Sequence, residues 1–159
     1  MRKFLPGLGL GLVAAGAAAA FFFSVEAIVD SNGVLVVSFD EHGLGNTNVI
    51  YNLTGSANGV YACLNKGGDR PQTSNKVGPA EFSVTTNGIR AKNGRIVSSI
   101  TAPPPESGTL VCPSSQLLKL VCVNYSNLVL TDVINNVYIE PTGTTSRTLI
   151  SRMQGVSCS

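Results

Sequence analysis

Asp40, Glu41 and His42 are consecutive, and they form the densest group of chemically capable side chains in the sequence. An imidazole beside two carboxylates is the raw material of general acid–base catalysis, and one of the many serines would extend it toward a hydrolytic triad. His42 is the single histidine. Yet no Gly-x-Ser-x-Gly elbow occurs, and neighbours along an extended chain cannot themselves make a triad. The trio lies between an apolar run and Gly43-Leu44-Gly45, so an exposed turn is its expected setting. Asp30, Asp40, Glu41, Asp69, Glu106 and Asp132 all fall in or beside predicted turns or strand ends, where carboxylates are expected to be solvated. A lone histidine with scattered acids lacks the spacing of a zinc site, and no nucleotide motif is present, so no metal or cofactor is expected.

The basic residues form two groups. Lys66, Arg70 and Lys76 surround Gly67-Gly68 within a polar stretch, residues 65–78, that reads as a long loop. Its backbone amides are suited to converge on an anion. Arg90, Lys92 and Arg95 surround Asn93-Gly94, the strongest short hairpin signal, and a two-residue type I′ turn places Lys92 opposite Arg95. Arg90 then shares their face, while Ile89, Ala91 and Ile96 fall on the other. Like charges across a ladder are mildly unfavourable, which suits either an anionic partner or a solvated tip that discourages edge pairing. The expected partner is an anionic surface polymer or an extracellular protein. Nucleic acid is not expected, because a net charge of +2 supplies no steering field.

Cys63, Cys112, Cys122 and Cys158 allow three connectivities. If residues 113–116 turn a hairpin, Cys122 lies too far along its strand to meet Cys112. The preferred pairs are Cys63–Cys112 and Cys122–Cys158, as structural staples; no two cysteines have the CxxC spacing of a metal or redox site.

Oxidised cysteines need an oxidising compartment, and the N-terminus addresses the chain there. Arg2 and Lys3 precede an uncharged run from Phe4 to Phe23, and Val25-Glu26-Ala27 offers a small-residue cleavage site. The expected division is a secretory signal at residues 1–27 and one domain at residues 28–159. Membrane contact is expected only if the leader is retained, since its glycine-rich apolar run is long enough to span a bilayer.

Behind the leader the apolar period is two rather than 3.6. Val34 to Phe39, Val49-Ile50-Tyr51-Asn52-Leu53, Val60 to Leu64, Glu81 to Thr85, Arg95 to Ile100, Thr109 to Cys112, Leu117 to Tyr125, Leu128 to Thr131, Val137 to Glu140 and Thr148 to Ile150 all read as short strands punctuated by turns. Tyr51, Tyr61 and Tyr125 share parity with apolar neighbours and read as inward. With no tryptophan in the chain, that leaves no flat aromatic platform for sugars. The pattern predicts an all-β fold, an immunoglobulin-like β-sandwich of about eight short strands.

Val37-Ser38-Phe39 with Gly43-Leu44-Gly45, Tyr61-Ala62-Cys63-Leu64-Asn65 with Pro71-Gln72 and Asn75-Lys76, and Cys112-Pro113-Ser114-Ser115-Gln116 resemble a group of small secreted β-domain proteins of actinobacterial type. The similarity covers most of the chain behind the leader. That group carries no assigned activity, so the resemblance implies export, a small β domain and a Cys63–Cys112 bridge, with Cys122 and Cys158 as an addition. The function expected is that of a secreted, non-catalytic binding or surface-interaction protein. The alternatives are a secreted hydrolase using Asp40, Glu41 or His42, and a structural component of an extracellular matrix.

Overall fold

The computed structural model describes residues 19–66, 71–151 and 153, without the side chains of Pro71 and Gln72. Arg70 and Cys158 lie outside the described residues, as do residues 1–18 of the expected leader. The period-two patterning becomes strands throughout, with no helix among the described residues. In chain order these are β1 (Phe21–Val29), β2 (Leu35–His42), β3 (Asn48–Val49), β4 (Tyr51–Asn65), β5 (Pro71–Thr85), β6 (Ile89–Arg90), β7 (Arg95–Ala102), β8 (Gln116–Asp132), β9 (Val137–Ile139), β10 (Thr142–Thr144) and β11 (Ser146–Thr148).

Three open sheets result. One runs β10-β1-β2-β7, mixed because β10 lies parallel to β1. A second, antiparallel, runs β11-β8-β4-β5 with β9 also on β8, and β3 pairs with β6 in a small third. The alternation of each strand sends one set of side chains inward. Ala27 and Val29, Leu35, Val37 and Phe39, Ile96 and Ile100 meet Tyr51 and Leu53, Val123, Tyr125, Leu128 and Leu130 in one apolar cluster. Burying an aliphatic side chain of this size contributes about 1.5–3 kcal/mol, so the shared cluster is the main glue between the larger sheets. Tyr125 adds a polar tie, donating its hydroxyl to Gly33 O at 2.8 Å.

The expectation of about eight short strands is corrected. Three strands are long, because positions read as turns are bulges inside them. Along β4, Gly55 does not end a strand. Asn127 and Leu128 of β8 lie opposite this one residue, and the ladder shifts there. A Cβ on Gly55 would sit 2.7 Å from the Leu128 side chain and 2.9 Å from Phe82 Cζ, so any larger residue at the bulge must displace them. Likewise Asn58-Gly59 lies within β4, and much of the stretch read as a loop at residues 65–78 belongs to β5. Residues 109–112, read as a strand, are irregular: Val111 is exposed and Cys112 is held by its bridge.

The Cys63–Cys112 disulfide is formed, with Cα atoms 5.5 Å apart. Cys122 is disulfide-bonded as well, and its expected partner is the undescribed Cys158. The position proposed for leader cleavage, after Ala27, falls inside β1.

Candidate functional site

Strand β2 ends in Asp40, Glu41 and His42, and alternation divides the trio between two environments. Asp40 and His42 point to the outer face of the four-stranded sheet, and Glu41 points into the core. They do not form one site.

On the outer face, register places Arg95 of β7 beside His42 and Val97 beside Asp40. The Arg95 guanidinium reaches diagonally to grip Asp40 with both arms, Nε to Oδ1 at 2.8 Å and Nη2 to Oδ2 at 2.7 Å. His42 Nε2 lies 3.0 Å from Asp40 Oδ1 on the other side. The Arg95 fork holds the Asp40 carboxyl below the usual carboxylate range, and Asp40 in turn raises Arg95. The rings of Phe21 and Phe23 lie 5.7 and 5.3 Å from the imidazole. Ser24, Ser38 and Ser99 share a shallow hollow with Asp40 on this face, but among the described residues none of them hydrogen-bonds His42.

Asp40, Glu41 and Asp132 all read from the sequence as solvated, yet all three are buried, Glu41 and Asp132 fully. Tyr51, also fully buried, donates its hydroxyl to Glu41 Oε2 at 2.6 Å. Tyr51 and Asp132 are register partners on β4 and β8, so the cluster bridges the two larger sheets at one end of the core. The roles of the two acids separate by their donors. Asp132 accepts from Ile134 N, Asn135 N and Asn135 Nδ2 at 2.6–2.9 Å, which closes the turn into β9. Among the described residues Glu41 accepts only from the tyrosine, and its Oε1 is buried without a donor. Burial, the Asp132 charge and a hydrogen bond to Asp132 push the Glu41 carboxyl up to about 7, against the lowering effect of Tyr51. A proton on Glu41 turns the orphaned oxygen into a donor toward Asp132. Burial and the Glu41 contact also push the Tyr51 phenol well above its ordinary value.

The signal for this cluster was partly present in the sequence. Leu35, Val37 and Phe39 are inward, and Glu41 has their parity. Asp132 has the parity of Leu128 and Leu130 but not of Val123 and Tyr125. The bulge at Asn127, whose φ is 53°, shifts the inward set between those two runs.

The Asn93-Gly94 hairpin folds as its turn chemistry dictates. Asn93 and Gly94 have φ of 53° and 73°, and Lys92 and Arg95 exchange backbone hydrogen bonds at 3.0 and 3.1 Å. Ala91 and Ile96 are buried behind the turn. Arg90, Lys92 and Arg95 line one open hollow of about 420 Å³, together with Ile89, Ile96 and Val97. Arg95 is committed to Asp40, whereas among the described residues no ion pair engages Arg90 or Lys92.

The other cations are not gathered with these. Lys66 is exposed at the end of β4. Lys76, already engaged in a contact, lies opposite Val60 and lines a different hollow with Asn58, Gly59 and Asn124. Among the described residues no group of His, Cys, Asp and Glu is placed to hold a metal ion, and no helix is long and apolar enough to cross a membrane. Compared with known proteins, the chain matches no family model, no curated protein and no solved structure.

Proposed function

We propose that the chain is an exported, non-catalytic binding module that uses its Asn93-Gly94 hairpin tip to hold an anionic surface polymer or the acidic face of an extracellular protein. The observation that carries this reading is the pairing of Arg90 and Lys92 over one hollow with an apolar floor, next to an Arg95 whose charge is already matched. Arg90 and Lys92 stand on backbone that β6 and the Lys92–Arg95 pair already order, so little backbone freedom is lost on binding, and their field favours a negative partner. Export is supported by the Cys63–Cys112 bridge, because structural disulfides persist in oxidising compartments. The finer fold reading, an immunoglobulin-like sandwich, is supported by the larger apolar cluster, which draws on both larger sheets.

The test is retention on dextran sulfate resin and on isolated Gram-positive cell walls at rising salt. The wild type is expected to bind at low salt and elute as screening shortens the reach of its charges to about 10 Å at 0.1 M. Arg90→Ser with Lys92→Ser changes only exposed side chains, so the fold is kept while elution moves to lower salt. Identical elution of the two proteins refutes the reading.

A further inference from the structure

Residues on both sides of the Ala27–Ile28 bond belong to one strand. Phe22 and Val25, with Ala20 just ahead of the strand, are part-buried against the core, and Ala27 and Val29 lie within it. The Phe22 ring meets those of Phe39 and Tyr51 at 6.2 and 6.3 Å, while Phe21 and Phe23 flank His42. The ladder with β2 begins at Phe21 opposite His42 and runs to Val29 opposite Leu35. On its other edge β1 pairs with β10 through Glu26, Ala27 and Ile28, and among the described residues β10 has no other partner in this sheet. The approach there is so close that a Cβ on Gly143 would collide with the Ala27 carbonyl oxygen.

A cut after Ala27 would discard all but the last two residues of β1. It would uncover Phe39 and Tyr51, strip β10 of two of its three register partners, and expose most of the edge of β2. The fold therefore needs Phe21 onward, which moves any leader boundary upstream. The alanine run that ends at Ala20 supplies what a leader peptidase reads, small residues one and three positions before the bond, at Ala20 and Ala18. The apolar residues that precede this run still make a leader core of ordinary length.

We infer that the leader is removed within the alanine run, at the Ala20–Phe21 bond by preference, so that the mature chain starts no later than Phe21 and keeps β1 whole. Water adds across that amide under an export-associated peptidase, leaving a carboxylate on Ala20 and an α-ammonium group on Phe21. This rests on the proposed export.

The experiment expresses the full chain with its own leader in a Gram-positive secretion host. It then determines the N-terminus by Edman degradation and intact mass, together with the oxidation state of Cys63 and Cys112. A start between residues 18 and 21 on an oxidised protein in the medium is the expected result. A start at Ile28, or at any residue after Phe21, overturns the inference while export stands. An uncut, oxidised chain in the membrane fraction does the same. An uncut chain with reduced thiols inside the cell overturns both the inference and the export on which it rests.

Discussion

Replacing Glu41 by glutamine should make this protein more stable at alkaline pH and remove the pH dependence that Glu41 imposes between 5 and 8. Glu41 titrates at about 7 in the folded state, against an ordinary value of 4.5. Below pH 4.5 the group is protonated in both the folded and unfolded chain. Between 4.5 and 7 the folded protein keeps a proton that the unfolded chain releases, so the unfolding free energy falls as pH rises. Above 7 the folded carboxyl ionises beside Asp132 and the loss is complete. At about 1.4 kcal/mol per unit, the span amounts to about 3 kcal/mol. In Glu41→Gln the amide oxygen still accepts from Tyr51, and the NH₂ group permanently supplies the donor that the proton provided. The variant and wild type should lie within about 1 kcal/mol of each other at pH 5, as for an isosteric exchange of one hydrogen-bonded group. At pH 8 the variant should lead by up to about 3 kcal/mol, or roughly 10 °C in Tm for a domain of this size. The assay is urea denaturation at pH 5, 6, 7 and 8. The difference between the two proteins cancels groups common to both. Asp30 and Asp40 have lowered values, so their contributions are lost only as the solution turns more acid than this window. Equal slopes for wild type and variant across pH 5–8 would refute the shared-proton account of Glu41 and Asp132.

The remaining outcomes concern the devices that hold this cluster and the sheets in place. Asp132→Ala removes the acceptor for three donors at the turn into β9 and should cost about 2–3 kcal/mol in urea denaturation at pH 5. Gly55→Ala drives a Cβ into Leu128, Phe82 and Ser126 O and should cost about 1–3 kcal/mol, with crosspeaks of β4 and β8 shifting most in an amide NMR spectrum. Replacing Cys63 and Cys112 together by alanine opens a loop spanning 49 positions and should cost about 4 kcal/mol by chain entropy, read as a lower denaturation midpoint.

Much of the local structure was readable from residue order, since local chemistry decides it. Asn-Gly demands positive φ at two successive residues, so the hairpin, the Lys92–Arg95 pair and the burial of Ala91 and Ile96 follow from a few letters. The Cys63–Cys112 bridge was preferred by the same reading. Strand continuity was not readable, because glycine signals a turn and a bulge alike. At Gly55 the difference lies in Leu128 and Phe82, contributed by other strands. Arg95 illustrates the same limit at the candidate binding tip. Its position opposite Lys92 followed from the turn, whereas its bidentate grip on Asp40 depends on β2 and β7 being neighbours.

The sequence by itself determined that this is an all-β chain with one well-specified hairpin, because a period of two and the conformational demands of Asn-Gly act over a few residues. Only the tertiary structure decided that Glu41, Tyr51 and Asp132 meet in a dry corner, and that β1 reaches back to Phe21. Alternation says which side of a strand a residue occupies but not what lies across from it. A single bulged residue, Asn127, was enough to shift the inward set along β8 and carry a carboxylate from its expected place in water into the core.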